Sequence, residues 1–186
     1  TPTEYNNMVS LLMEGETGTV LQHNGGYEKV AQGTLNKLMT VLLTAEEIES
    51  GGLSINDVVT VSSNANAQTG AVVWLMPGEE ITIEELLKSV IIGNANDASV
   101  ALAEIVGGNE EEFTGMMNAR AFELGMRNTV FKNPAGYDCA GQYSTPYDMA
   151  LLCRELLKHE FLYKIMNTWI DRVRGGQTEI VNENRL

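Results

Sequence analysis

The segment Thr34-Leu-Asn-Lys37 sets a hydroxyl and an ammonium three residues apart, a spacing that puts both on one face of a helix. Leu35, Leu38, Met39, Leu42 and Ile48 recur at helical period from this point, and Gly51-Gly52 ends the run. The pair is therefore predicted to stand at a helix start, where the partial positive charge of the terminus stabilises developing negative charge. A partly desolvated lysine beside a hydroxyl can lose its proton and serve as a base, leaving the oxygen as a nucleophile. The same residues also read more plainly, with Thr34 as an N-cap and Lys37 as a solvated side chain.

A second candidate is Gly93-Asn-Ala-Asn96-Asp97. It interrupts a helical pattern, between a stripe of Ile83, Leu86, Leu87, Val90 and Ile91 and another of Ala98, Ala101, Leu102 and Ile105. Its amides both donate and accept, and a break of this kind can aim a side chain into a cleft. The plain alternative is an Asx-type break with Asp97 capping the next helix.

The elements that must position these two segments follow from period and punctuation. Met8–Met13 and Thr19–Gln22 flank the turn signal Glu14-Gly-Glu-Thr-Gly18 and read as a β-hairpin. Val58–Val61 is a short strand, Ser62–Gly70 is a polar loop, and Pro77-Gly78 marks a turn. Phe113, Met116, Met117, Ala121 and Leu124 form a further helical stripe closed by Gly125, and a helix runs from about Pro146 to Leu157 with proline at its first turn. Thr168 to Leu186 reads as extended segments around Gly175-Gly176. Strands, a helix-rich middle and strands again predict an α+β fold: one domain over residues 1–186, with a helical lobe at about 62–150.

Composition narrows the field. The 186 residues are 44% hydrophobic, enough for one sizeable core, and carry 12 Lys+Arg against 25 Asp+Glu, a formal charge of −13. No basic run exists, which excludes a nucleic-acid footprint. Two cysteines, Cys139 and Cys153, are too few for a disulfide framework; Cys153 is predicted as a buried thiol on an apolar helix, with a single bridge between the two left open. His23 and His159 have no thiol or acidic cluster around them, so no metal site and no cofactor are expected. No apolar run reaches the ~18 residues of a membrane span, and no signal peptide is visible in these residues, as is also expected of an exported chain already processed.

Taken together, a hydroxyl-plus-lysine element followed by a polar element on a helical lobe resembles the penicillin-recognising serine acyltransferases, whose signature is S-x-x-K, S-D-N and K-T-G. The likeness runs in chain order through Gln32-Gly-Thr-Leu-Asn-Lys-Leu-Met-Thr40, Asn94-Ala-Asn-Asp-Ala98, Leu124-Gly-Met-Arg-Asn-Thr-Val-Phe131, Asn133-Pro-Ala-Gly136, Ser144-Thr-Pro-Tyr-Asp-Met-Ala150 and Asn182-Glu-Asn-Arg-Leu186. In these residues the chain is similar to the low-molecular-mass D-Ala-D-Ala carboxypeptidases of the bacterial envelope.

That resemblance implies a penicillin-binding-protein/β-lactamase-like fold, an antiparallel sheet beside a helical lobe. It also implies a nucleophile at Thr34, a general base at Lys37, a proton-relaying polar group at Asn94 and a substrate-binding amide at Asn96. The ligand would be a peptidoglycan stem peptide or a β-lactam, and the location extracytoplasmic. The chain departs from the family pattern at three places: Thr34 and Asn94 stand where serines are expected, and no Lys-Thr-Gly or Lys-Ser-Gly occurs. The strand bearing that triplet is expected to be absent from these residues, leaving the sheet incomplete, either because a second chain completes it or because the residues are a fragment of a longer protein. Ala135 also replaces a histidine common in relatives. The departures set an active carboxypeptidase against an inactive peptidoglycan-binding relative, with a β-lactamase or other acyltransferase on the same fold as a third reading.

Overall fold

The computed structural model describes residues 8–183. The first ribbon pairs β1 (Ser10–Met13) with β2 (Val20–Asn24), antiparallel, with the register slipping between Leu12 and Met13. A single 3-10 turn, Gly33–Leu35, then leads into α1, Asn36–Ser50. The α1 helix ends where Gly51 takes the left-handed conformation (φ 84°) and its N–H reaches the carbonyls of Glu47 and Ile48.

A helical core follows. β3 (Val58–Thr60) pairs with β4 (Glu80–Thr82), and between them lie the short α2 (Ser63–Asn66) and a long loop. α3 (Ile83–Ile91) starts from a capping box in which Thr82 and Glu85 satisfy each other's backbone donors. α4 (Asn96–Gly107) is the central helix, packed against α1, α2, α3 and α5. Its small residues Ala98, Ala101 and Ala103 are almost wholly buried, and that lets its neighbours approach closely. α5 (Glu110–Glu123) inserts Phe113 and Met117, both fully buried.

α6 (Pro146–Leu156) begins with Pro146 behind a Thr145 cap on the Asp148 N–H, and α7 (Glu160–Met166) follows it. A last antiparallel ribbon joins β5 (Ile170–Val173) to β6 (Thr178–Val181). Isolated bridges Val30–Ser144 and Val130–Tyr143 stitch the start of the chain to the loop before α6. Buried apolar side chains from α1, α3, α4, α5, α6, α7 and the last ribbon share one core.

The α+β expectation holds, with the antiparallel strands distributed over three separate two-stranded ribbons among the described residues. Several details differ from the reading of the sequence. Leu35, assigned to the buried helical stripe, lies in the 3-10 turn and is 48% exposed. The polar stretch from Ser62 contains α2, capped by the Ser62 hydroxyl on the Ala65 N–H. Cys153 is exposed, because the buried stripe of α6 runs through Met149, Leu152 and Leu156 and leaves position 153 off it; both cysteines are free. Of the segment Asn182–Leu186, residues 184–186 lie outside the described residues.

Candidate active site

A cavity of about 820 Å³ opens between the start of α1, the α3–α4 junction and the end of β6. Thr34, Lys37 and Asn94 all line it, so three of the four residues picked out in the sequence meet around one space. Thr34 is exposed in the 3-10 turn, and its hydroxyl has no hydrogen-bond partner among the described residues. It is not an N-cap. The residue before the 3-10 turn is Gln32 and the one before α1 is Leu35, and neither end has a side-chain cap. The 3-10 turn thus separates the hydroxyl from the helix it was expected to cap and leaves it open to the cavity.

Lys37 is not a solvated side chain. It is 4% exposed, and its Nζ donates to the Ala135 carbonyl at 2.9 Å. Burial lowers its pKa from 10.5 to about 8, because a charged amine loses hydration that one neutral carbonyl does not replace. About a tenth of such an amine is neutral at pH 7, the form that can accept a proton.

The acceptor for Lys37 belongs to a loop that grips two helices. Asn133 O accepts from Asn36 Nδ2 at 2.9 Å, Pro134 O from Thr40 Oγ1 at 3.0 Å and Ser99 Oγ at 2.9 Å, and Ala135 O from Lys37. Three successive carbonyls thus fix the site face of α1 and tie it to α4. Gly136 follows at φ 88°, against the turn bearing Thr34: a Cβ there would collide with the Gly33 carbonyl and come within 2.9 Å of Thr34 Cα. The sequence reading counted Asn133-Pro-Ala-Gly136 in the family likeness but gave it no part in the site. Its contribution is made by backbone atoms, and only the Asn-Pro-x-Gly pattern could have signalled it.

The second candidate segment divides. Asn94 is exposed and lines the cavity, with φ 52°, a left-handed conformation that asparagine tolerates better than most residues. Asn96 does not line the cavity. It is 8% exposed, its backbone N–H reaches Ala71 O at 2.7 Å, and its Nδ2 donates to Thr69 O at 2.6 Å. Its Oδ1 is buried without a partner.

Asp97 is not the cap of α4 that the sequence suggested; the preceding residue is Ala95, which has none. Its carboxylate reaches the Val73 N–H at 3.1 Å and the Leu75 N–H at 3.0 Å, as well as the Ala98 N–H at 2.9 Å. The loop over Asn96 is therefore held by α4 itself. Arg174 grips the same loop from the other side, donating to Val73 O at 3.2 Å while paired with Glu79 at 2.7 Å.

This fold is that of penicillin-binding proteins. Penicillin-binding protein 6B of Escherichia coli superposes with a TM-score of 0.91 over 100% of this chain and 60% of its own, at 29% identity. The carboxypeptidase DacD of Francisella tularensis does so with a TM-score of 0.89 over 98% of this chain and 45% of its own, at 30% identity. The chain belongs to the D-alanyl-D-alanine carboxypeptidase family, peptidase family S11, whose model matches residues 1–186. It is 43% identical over 180 residues to the D-alanyl-D-alanine carboxypeptidase DacF of Bacillus subtilis, an alignment covering 95% of this chain and 46% of that protein. The alignment with DacC of Escherichia coli, at 37% identity, covers 38% of that protein, so the chain spans less than half the length of these two relatives.

Proposed function

We propose that the protein is a D-Ala-D-Ala carboxypeptidase acting outside the cytoplasmic membrane on peptidoglycan stem peptides, with Thr34 as nucleophile and Lys37 as its base. One observation carries the reading: an unpartnered Thr34 hydroxyl and a desolvated Lys37 amine border the same cavity. In the proposed reaction Thr34 Oγ1 attacks the carbonyl carbon between the two terminal D-alanines, and its proton passes to Lys37 Nζ. The C–N bond breaks, the departing D-alanine amine takes that proton, and an ester to Thr34 remains. Water then hydrolyses the ester and frees Thr34. Asn94 contacts the substrate from the opposite wall, backed by Asn96, whose Nδ2 holds the Thr69 carbonyl. A β-lactam would enter the same sequence and stop at the ester.

Two features favour a second reading, a relative that binds peptidoglycan without turnover. The extra methyl of Thr34 restricts its side-chain rotation, and misplacing a reacting atom by ~1 Å can cost about 10²-fold in rate. Asn94 hydrogen-bonds but cannot relay a proton as a hydroxyl does.

Incubation of the intact natural protein with a β-lactam, followed by mass analysis, separates the two readings. A covalent increase on the peptide containing Thr34 is the expected result, and no adduct at high drug concentration excludes the enzyme. Rapid release of hydrolysed drug without a lasting adduct would instead identify a β-lactamase. Thr34→Ser should speed acylation by about tenfold or more, because it removes the restricting methyl. Asn94→Ser restores a hydroxyl but places serine at φ 52°, so its gain is offset by roughly 1 kcal/mol of backbone strain.

A further inference from the structure

Among the described residues that line the cavity, Lys37 and Glu183 are the two that carry charge; the others are apolar or neutral. Lys37 is buried near the start of α1, whereas Glu183 is exposed just past the end of β6. The two do not neutralise each other. Burial alone lowers the Lys37 pKa to about 8, with no contribution from a carboxylate. An opposite charge within ~4–6 Å would favour the protonated amine and oppose that shift. The Glu183 carboxylate therefore stands off from Lys37 across the cavity, and it has no ion-pair partner among the described residues. The backbone ahead of it is anchored. The Asn182 N–H donates to Trp169 O at 2.8 Å, and Asn182 Nδ2 reaches Met166 O at 3.1 Å and Thr168 O at 3.2 Å. These bonds tie the end of β6 to the turn between α7 and β5, and Met166 itself lines the cavity. Glu183 is thus carried at the cavity rim on a backbone held in place, with its charge uncompensated.

We propose that Glu183 is a specificity-determining residue: it selects stem peptides that carry a free ammonium group in the acyl part, ahead of the bond that is cut. A D-Ala-D-Ala terminus ends in a carboxylate. Glu183 repels that carboxylate and keeps the departing D-alanine away from its own end of the cavity, which leaves the acyl part to run past it. A side-chain ammonium there meets an unpaired carboxylate. A neutral side chain gains nothing from the encounter, and an acidic one is repelled, so the residue discriminates by charge in both directions. This inference deepens the carboxypeptidase reading and rests on it for the substrate it names.

The test uses the intact natural protein and two peptides that differ in one charge: Nα-acetyl-lysyl-D-Ala-D-Ala with its side-chain amine free, and the same peptide with that amine acetylated. Release of D-alanine gives kcat/KM for each. The free amine should be preferred by about fivefold at low salt, the size of one exposed ion pair, and added salt should shrink the preference. Glu183→Gln should bring the two peptides to near equality, and Glu183→Lys should turn the preference toward the acetylated one. Glu183→Gln removes one of the 25 acidic residues of the chain. A preference that came from the overall negative field would survive that substitution, and its survival would overturn the proposal. Equal kcat/KM for the two peptides in the unsubstituted protein would do the same. If no D-alanine is released and no penicillin is bound covalently, the carboxypeptidase reading fails, and calorimetry with the two uncut peptides decides the role of Glu183 by itself. The free amine should then bind about fivefold more tightly, with the difference lost in Glu183→Gln; equal affinities, or no binding of either peptide, would overturn it.

Discussion

At the scale of single residues the informative group is Lys37. A pKa of about 8 makes the neutral amine the minor form at pH 7 and the major one above pH 8. If Lys37 is the base, the acylation constant should rise about tenfold per pH unit below 8 and level off above it. A profile flat from pH 6 to 9 would remove Lys37 from that role. The same shift has a stability consequence of definite sign. Because the pKa is lowered from 10.5, the unfolded chain holds more protons than the folded one between about pH 8 and 10.5. Folding is therefore strengthened as pH rises through that window. Denaturant melts of the natural protein should show this rise, and Lys37→Met should abolish it.

Elements hold these residues in place largely through contacts that the sequence does not display. The helices α1, α3, α4, α5 and α6 were legible from apolar spacing, as were the hairpin ahead of Gly25 and the turn at Pro77-Gly78. β4, with three residues, and α7, with seven, are too short for periodicity to register. Thr34, Lys37 and Asn94 were legible because hydroxyl, amine and amide are distinctive side chains. Ala135 O was not, because every residue has a carbonyl and this one acts on a lysine 98 positions away. Gly136 is the element-level hinge of the arrangement. Gly136→Ala should cost about 1–3 kcal/mol from its positive φ alone, and more as the Thr34 turn is displaced. Asp97→Ala should cost roughly 2–4 kcal/mol, because loop amides at Val73 and Leu75 lose a charged acceptor. Thermal unfolding measures both, at ~2–4 °C per kcal/mol for a chain of this size.

The described residues carry their strands as three short ribbons, and large apolar side chains stand exposed on all of them: Leu12 and Leu21 on the first, Val58 on the second, Ile170 and Val181 on the last. Trp169, immediately before the last ribbon, is 59% exposed as well. Strand edges with such flanks invite pairing with another chain. Produced alone, residues 1–186 should self-associate, and Ile170→Lys with Val181→Lys should shift the population toward monomer in sedimentation. A stable monomer without the lysines would argue against any second chain completing the sheet.

The carbonyl loop has a kinetic corollary. Its bonds to Asn36, Lys37 and Thr40 join residues 94 to 98 positions apart in the chain. Loops of that length close late, since their entropy is lost before any contact rewards it. During refolding, helical signal should therefore recover first, and reactivity toward penicillin should return only with the final phase. A ribosome that has not yet released residue 135 can carry no working copy of this cavity.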